Sequence, residues 1–445
     1  MTAEADHMGR TAIVCGAGMA GLLSARVLSD FYDQVVIVER DELLDQPLPR
    51  RGVPQGGHGH TLLVGGQRIL SELFPGFVEE MVAHGAPYVC YTSSRKRYQS
   101  NGWAPRPESD LWTLQCTRSH LEWGVRRRVL KLPNVTVLDG RRIVDLAASV
   151  SDDRATVGGV RAKLVAGGDP TTISGDVVVD ATGRTSAGPR WLAGLGYPVP
   201  EEVAVNGFWG YASRLYRMPD DWAPDCAGLV SFPTGRNGNT RGAGWARQEH
   251  NRWLLMLIGC ARDYPPRDER GFTDWLTSLP VPDFAEPLAG ATPLNDIEVW
   301  RQTSNRLRRY DRLERRPANL LFTGDSVCAL NPVYGQGMSV ACLGARELRA
   351  ALSEGGHDLA DRFQHRLADA IQFSWAASTS ADRAMPGFEG NPPDVEEAEL
   401  GRRWQRAAAL STDVPEVLRL FWETACLVRG PDWLFTGSIA SRVSG

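Results

Sequence analysis

The stretch from residue 11 to residue 39 constrains this chain more than any other. Thr11-Ala12-Ile13-Val14-Cys15 reads as a buried parallel strand, Gly16-Ala17-Gly18-Met19-Ala20-Gly21 turns it into a helix running to about Leu28, and Val35-Val36-Ile37-Val38 is a second strand ending in Glu39. A G-x-G-x-x-G string by itself is common. Placed between a strand and a helix, with a carboxylate 23 residues after Gly16, it predicts a dinucleotide site on a Rossmann-type α/β sheet. Gly16 permits the tight turn, Gly18 lets backbone N–H groups approach a pyrophosphate at the helix N-terminus, and Gly21 lets helix and strand pack closely. Glu39 is expected to accept hydrogen bonds from the adenosine ribose. Spacing alone does not separate NAD from FAD.

Residues 41–65 are rich in Pro, Gly and Arg without periodicity, as in a long loop beside a cofactor. Helical stretches follow near 67–73 and 76–84, strands near 88–91 and 96–100, a helix from about 118 to 131, and a third parallel strand at 134–138. Residues 141–176 read as a small antiparallel meander turning at Ser151-Asp152-Asp153 and Gly167-Gly168-Asp169, and 176–179 returns to the parallel sheet. From 201 to 300 the character changes. Aromatic-rich segments at 206–216, 228–232, 242–248 and 253–259, separated by Pro, Gly and Asn turns, predict an antiparallel sheet. A strand at 320–323 leads into Gly324-Asp325, a Pro/Gly turn at 331–337 opens a helix to about Leu352, and Gly355-Gly356 stops it. The tail from 361 to 436 reads as helices broken at Pro386, Pro392-Pro393, Pro415 and Pro431.

Composition excludes several classes. A formal charge of −4 argues against nucleic-acid binding, and the runs Arg126-Arg127-Arg128 and Arg306, Arg308, Arg309 read as solvated faces. Eight scattered Cys with no C-x-x-C pair suggest reduced thiols of a cytoplasmic protein, without a disulfide frame or zinc site. The acidic start Met1-Thr2-Ala3-Glu4-Ala5-Asp6-His7 lacks the features of a secretion signal. The longest strongly apolar run, Trp253 to Ile258, is far short of the ~20 residues that span a bilayer. Only Lys96, Lys131 and Lys163 are lysines among 49 basic residues, which restricts ammonium chemistry to three positions. Fourteen Trp outnumber the 13 Phe and the 10 Tyr, suggesting broad apolar surfaces in a core or a ligand cavity.

Three further segments make a family visible. Gly324-Asp325 followed by Asn331-Pro332-Val333-Tyr334-Gly335-Gln336-Gly337-Met338 resembles the G-D…P-x-x-G-x-G signature of flavin monooxygenases with the p-hydroxybenzoate hydroxylase fold. Asp180-Ala181-Thr182-Gly183-Arg184-Thr185-Ser186 takes the place of their central A-D-G motif, with Thr182 where the family has Asp. Arg50-Arg51-Gly52-Val53-Pro54-Gln55-Gly56-Gly57-His58-Gly59-His60 is most similar to the squalene-epoxidase-like branch, including the olefin epoxidases of polyether biosynthesis. The resemblance runs from about residue 10 into the C-terminal helices and implies FAD. It implies cofactor contacts from Gly16, Gly18, Met19, Ala20, Gly21, Glu39, Arg40, Arg50, Gln55, Arg118, Thr182 and Gly183 in the first part of the chain. Asp325, Pro332, Gly335, Gln336, Gly337 and Met338 complete the set. Asp325 is expected at a ribityl hydroxyl, and the helix opened by residues 335–338 is expected to stabilise negative charge on the reduced flavin. The fold implied is a Rossmann-type FAD-binding domain from two parts, 9–200 with an excursion near 86–107 and 301–355, an antiparallel-sheet substrate domain at 201–300, and a helical C-terminal region at 356–445.

The resemblance implies transfer of one oxygen atom from a flavin C4a-hydroperoxide to a hydrophobic substrate, with O2 as co-substrate and NAD(P)H as direct or indirect reductant. With no second nucleotide motif, a separate flavin reductase is an alternative source of electrons. Epoxidation of an alkene in a secondary metabolite is the first reading, since it needs no general base and the sequence shows no base motif. Aromatic hydroxylation, flavin-linked reduction of an isoprenoid-like double bond and a non-catalytic flavin carrier are the alternatives. Flavin halogenases share the fold, but their W-x-W-x-I-P signature is missing. No protein residue is assigned a catalytic role. Trp209, Tyr211, Phe232, Trp245 and Arg301 are the expected substrate wall, and His58 and His60 are read as loop hydrogen-bonders. Val417-Leu418-Arg419-Leu420-Phe421-Trp422 is read as a helix buried against the domain in preference to a peripheral membrane contact.

Overall fold

Ala12, Ile13, Val14 and Cys15 are all completely buried, as required of a parallel strand covered on both faces. The computed structural model describes residues 8–99, 102–151 and 154–444. The leader at 1–7, the strand end at Ser100 and the turn at Asp152-Asp153 lie outside the described residues. The strand that contains those four residues, β1 (Gly9–Cys15), is joined by β2 (Tyr32–Val38), β3 (Val135–Leu138), β4 (Val177–Asp180) and β5 (Leu320–Phe322). They form a wholly parallel sheet in the order β5-β4-β1-β2-β3. Helix α1 (Met19–Leu28) follows β1, α2 (Arg118–Leu130) precedes β3, and α3 (Gly337–Ser353) packs on α1. An antiparallel meander of Arg141–Ser151, Arg154–Leu164 and Thr171–Ser174 adds Val157, Val160 and Ala162 to the same core.

A second sheet is built from Gly210–Arg217, Arg252–Gly259, Arg241–Arg247 and Gly228–Ser231 in antiparallel succession, and Arg95–Gln99 adds to it in parallel with Gly228–Ser231. One face buries Ala212, Tyr216, Trp245 and Leu257 against Phe272, Trp275 and Phe284. The strand expected over 206–216 is two strands. Glu202–Asn206 belongs to a different small sheet, and the chain turns at Gly207-Phe208-Trp209 before Gly210–Arg217 begins. Phe208 has φ of 52°, and the Asn206 side chain accepts its N–H at 2.9 Å, a local turn that competes with strand continuation.

The C-terminal region is helical: α4 (Leu359–Arg383), α5 (Val395–Leu410), α6 (Pro415–Ala425) and a last helix, Gly437–Ser444. Asp394 caps α5 by accepting the Glu397 N–H, and Pro415 opens α6 where its missing N–H costs nothing. Val417 and Leu420 of α6 are buried against Phe373, Ala376 and Leu400. No helix among the described residues is long and apolar enough to cross a membrane. The eight cysteines form no disulfide.

Candidate functional site

The turns at the C-terminal ends of β1, β2, β4 and β5 surround a cavity of about 370 Å3, the position at which open α/β sheets bind ligands. Gly16, Gly18, Met19, Ala20, Glu39, Arg40, Arg50, Gln55 and Arg118 line it from the first part of the chain. Thr182, Gly183, Asp325, Pro332, Gly335, Gly337 and Met338 line it from the rest. Residues as far apart as Gly16 and Met338, 322 positions, thus meet in one space. Two of the expected cofactor residues do not line it. Gly21 lies beneath the loop, where a Cβ would come within 1.9 Å of the Gly16 carbonyl oxygen, so its role is helix–strand packing. Gln336, the residue just before α3, lines a second cavity instead.

The first cavity is walled by glycine turns, helix starts and cations. Gly16 holds φ at +99° with Ala181 pressed behind it, whereas a Cβ on Gly18 or on Gly337 would meet no atom within 4 Å. The empty cradle is therefore in front of the two glycines that begin α1 and α3. Neither helix has a side-chain cap or an acidic residue in its first turn, so two positive helix ends with free N–H groups face one cavity. Among the described residues, Arg40, Arg50, Arg118, Arg141, Arg142 and Arg190 line it against two carboxylates, Glu39 and Asp325. Glu39 accepts the Ala17 N–H at 2.6 Å and the Asp41 N–H at 3.0 Å, which fixes the loop. Glu122 on α2 accepts from Arg50 at 2.6 Å and from Arg118 at 2.9 Å. Arg118 Nε is buried with no partner among the described residues. The Thr182 hydroxyl donates to buried Asp180 at 2.6 Å, and Ser186 donates to the same carboxylate at 2.5 Å. Burial raises the pKa of Asp180 against the opposing pull of those hydrogen bonds.

A second cavity, of about 460 Å3, lies against the antiparallel sheet and shares Gln55, His60, Thr61, Pro332 and Gly335 with the first. Trp209, Tyr211 and Phe232 line it, as does Trp245. The Trp245 indole N–H is donated into the core, to the Phe284 carbonyl at 3.0 Å. Arg301 does not line it. Alternation along Glu298–Trp300 and the turn after it place Trp300 inward and leave Arg301 exposed, its guanidinium 4.6 Å above the Tyr264 ring. Helix α6 closes one side with Phe421, Trp422 and Ala425. His58 bonds Ser213 Oγ at 2.9 Å and His60 bonds the His58 carbonyl at 2.9 Å. Burial lowers His58 to about 4 and His60 to about 3. Both rings are therefore neutral at neutral pH, and His60 must carry its proton on Nδ1, since a carbonyl only accepts.

One group here had no signal in the sequence. Asp382, at the end of α4, is fully buried and accepts from Tyr334 Oη at 2.8 Å, Asn305 Nδ2 at 2.8 Å, Asn331 Nδ2 at 3.0 Å and the Gly207 N–H at 3.3 Å. Burial pushes it up to about 6, while the hydrogen bonds from Tyr334, Asn331 and Gly207 work the other way. With its amide nitrogen committed to Asp382, Asn331 presents Oδ1 to the Tyr211 hydroxyl at 3.1 Å. Tyr211 and Tyr334 both line the second cavity with their hydrogens already given away, so toward a ligand each can only accept. Asp382 is an ordinary helix residue by sequence; only the packing of α4 against the turns at 207 and 331 gives it this role.

No family model matches the chain. Over 426 residues it is 34% identical to Protein Rv3254 of Mycobacterium tuberculosis, spanning 92% of this chain and 86% of that one. Among solved structures it is similar to the flavin-dependent brominase Bmp2, with a TM-score of 0.65, 15% identity and coverage of 93% of this chain and 94% of that one. It is similar to a flavoprotein/dehydrogenase from Cytophaga hutchinsonii, with a TM-score of 0.66, 14% identity and coverage of 96% and 95%. It is also similar to the p-nitrophenol 4-monooxygenase PnpA from Pseudomonas putida DLL-E4, with a TM-score of 0.64, 15% identity and coverage of 94% and 98%. At these identities the likeness establishes a shared fold.

Proposed function

The chain belongs to the family of the Mycobacterium tuberculosis Protein Rv3254, and from that premise and the paired cavities we propose that it is an FAD-dependent monooxygenase acting on a hydrophobic organic substrate. The observation that carries this reading is the junction. A cavity with two uncapped helix ends and an arginine surplus opens, at Thr61, Pro332 and Gly335, onto one lined by aromatic and aliphatic side chains. When bound, FAD would supply the chemistry that reduces O2 by two electrons from NAD(P)H and passes one oxygen atom to the substrate. Gly16, Gly18, Met19 and Ala20 would hold its pyrophosphate, and Glu39 and Arg40 the adenosine ribose. Arg50 and Arg118 would hold phosphate or ribityl oxygens, and Asp325 a ribityl hydroxyl. Residues 335–338 aim the start of α3 at the junction, where its dipole favours negative charge. Trp209, Trp300, Leu254 and Met256 exclude water from the second cavity.

Oxygenation of an alkene remains our first assignment, because no carboxylate lines the second cavity among the described residues and an alkene needs no base. One observation favours phenol hydroxylation as the second. A substrate O–H placed against Tyr334 Oη could pass its proton there while Tyr334 passes its own to Asp382, 2.8 Å away. Halogenation is not favoured, as none of the three lysines lines either cavity. The test is purified protein with FAD, NAD(P)H or chemically reduced FAD, 18O2, and a polyene or a phenol. One labelled oxygen in the product is expected. Failure to bind FAD, or turnover without oxygen, would overturn the proposal.

A further inference from the structure

Arg95 and Arg97 both line the second cavity. They sit two residues apart on the Arg95–Gln99 strand and therefore share a face. Lys96, between them, faces the other way and has a carboxylate, Asp225, at 2.8 Å. The two inward cations have none: among the described residues neither guanidinium forms an ion pair. Arg97 donates to the carbonyls of Tyr91 at 2.6 Å, Thr92 at 3.2 Å and Arg95 at 3.4 Å, and it lies 4.3 Å above the Trp422 ring. Arg95 donates through Nε and one terminal nitrogen to Gln115 Oε1, at 3.2 and 2.8 Å, and lies 4.4 Å above the Tyr91 ring.

A guanidinium has five N–H groups. Those bonds leave two unused on Arg97 and three on Arg95. Arg97 Nε and Arg95 Nη1, which carry unused donors, are not fully buried, and both side chains line the cavity. An unpaired cation away from water is costly, and chains that bury one normally bury its counter-ion as well. Burial lowers Arg97 to about 10, outweighing the favourable contacts from Tyr91. Carbonyls, an amide oxygen and aromatic faces hold both side chains in place while leaving the charge unneutralised.

We propose that Arg95 and Arg97 form a carboxylate-binding subsite, so that the substrate is an amphipathic organic acid whose apolar body lies along Leu229, Leu254 and Met256. The inference rests on the second cavity being the substrate cavity. A planar carboxylate matches the planar fork of a guanidinium, and Trp422 and Tyr91 would sandwich the pair against the medium.

The experiment is isothermal titration of the FAD-loaded protein with 6-phenylhexanoate, its methyl ester and 6-phenylhexyl phosphate. The acid is expected to bind at least about tenfold more tightly than the ester, the scale of a charge-assisted hydrogen bond, and more tightly than the phosphate. Arg95→Met and Arg97→Met should each bring the affinities for acid and ester to within about twofold of one another, with FAD still bound. Arg97→Lys should recover part of the preference. Equal binding of acid and ester by the unaltered protein, tighter binding of the phosphate, or an acid preference that survives both Met variants would overturn the proposal. Titration involves no turnover, so these outcomes are separate from the labelled-oxygen experiment, whose failure would remove the monooxygenase reading alone.

Discussion

Asp382 makes the polarity of the second cavity depend on one buried proton. Its ordinary carboxyl pKa is near 3.9, and in the folded chain it is pushed up to about 6. Between those values the folded state holds a proton that the unfolded state has lost, so this group favours folding most below pH about 4 and progressively less as pH rises to 6. The melting temperature of the unaltered protein, measured relative to Asp382→Asn, should therefore fall between pH 4 and pH 7. A difference that stays constant over that range would mean Asp382 does not titrate there. At Gly18 the outcome is a matter of space. Gly18→Val should leave the melting temperature of the FAD-free protein within a degree or two, because a Cβ there meets nothing, while weakening FAD retention at least tenfold in equilibrium dialysis. The difference between these residues explains what the sequence could reveal. Gly16, Gly18 and Asp325 owe their places at the first cavity to the local geometry of their own turns, so spacing points to them. Asp382 acts across 51 residues on Asn331, and no short-range pattern encodes that.

Two elements end at the junction, and each yields an expectation. Helix α3 begins with no acidic residue in its first turn, although one there would ordinarily stabilise a helix by about 0.3–1 kcal/mol. Gly337→Asp should keep or raise thermal stability and yet loosen FAD, as read by ultrafiltration of bound flavin; tighter flavin would contradict our placement of the cofactor. Helix α6 divides its labour between faces. Leu420→Ala removes a buried side chain and should cost about 2–5 kcal/mol in denaturant unfolding. Phe421→Ala, on the cavity side, should instead change substrate affinity with a smaller effect on stability. Elements with strong local punctuation were legible from the sequence: the parallel strands, the helix stopped at Gly355-Gly356, and the Pro-broken tail. The break at residues 206–210 was not, because an Asn side chain turning the chain resembles any other residue within an aromatic strand.

At the scale of the whole molecule, one core lies around the parallel sheet and another behind the antiparallel sheet, with the two cavities meeting between them. A ligand bridging elements so far apart in the chain should stabilise all of them together. FAD at a hundred times its dissociation constant should add about 2.7 kcal/mol to unfolding, seen as one cooperative shift in calorimetry; a shift confined to one of two separate transitions would mean that the halves respond independently. Five of the chain's 14 tryptophans, Trp209, Trp245, Trp300, Trp404 and Trp422, border the second cavity. Indole emission moves with the polarity around the ring, so the protein carries its own optical gauge of whether that cavity is wet or filled, and candidate compounds can be screened by colour shift alone before any product is known.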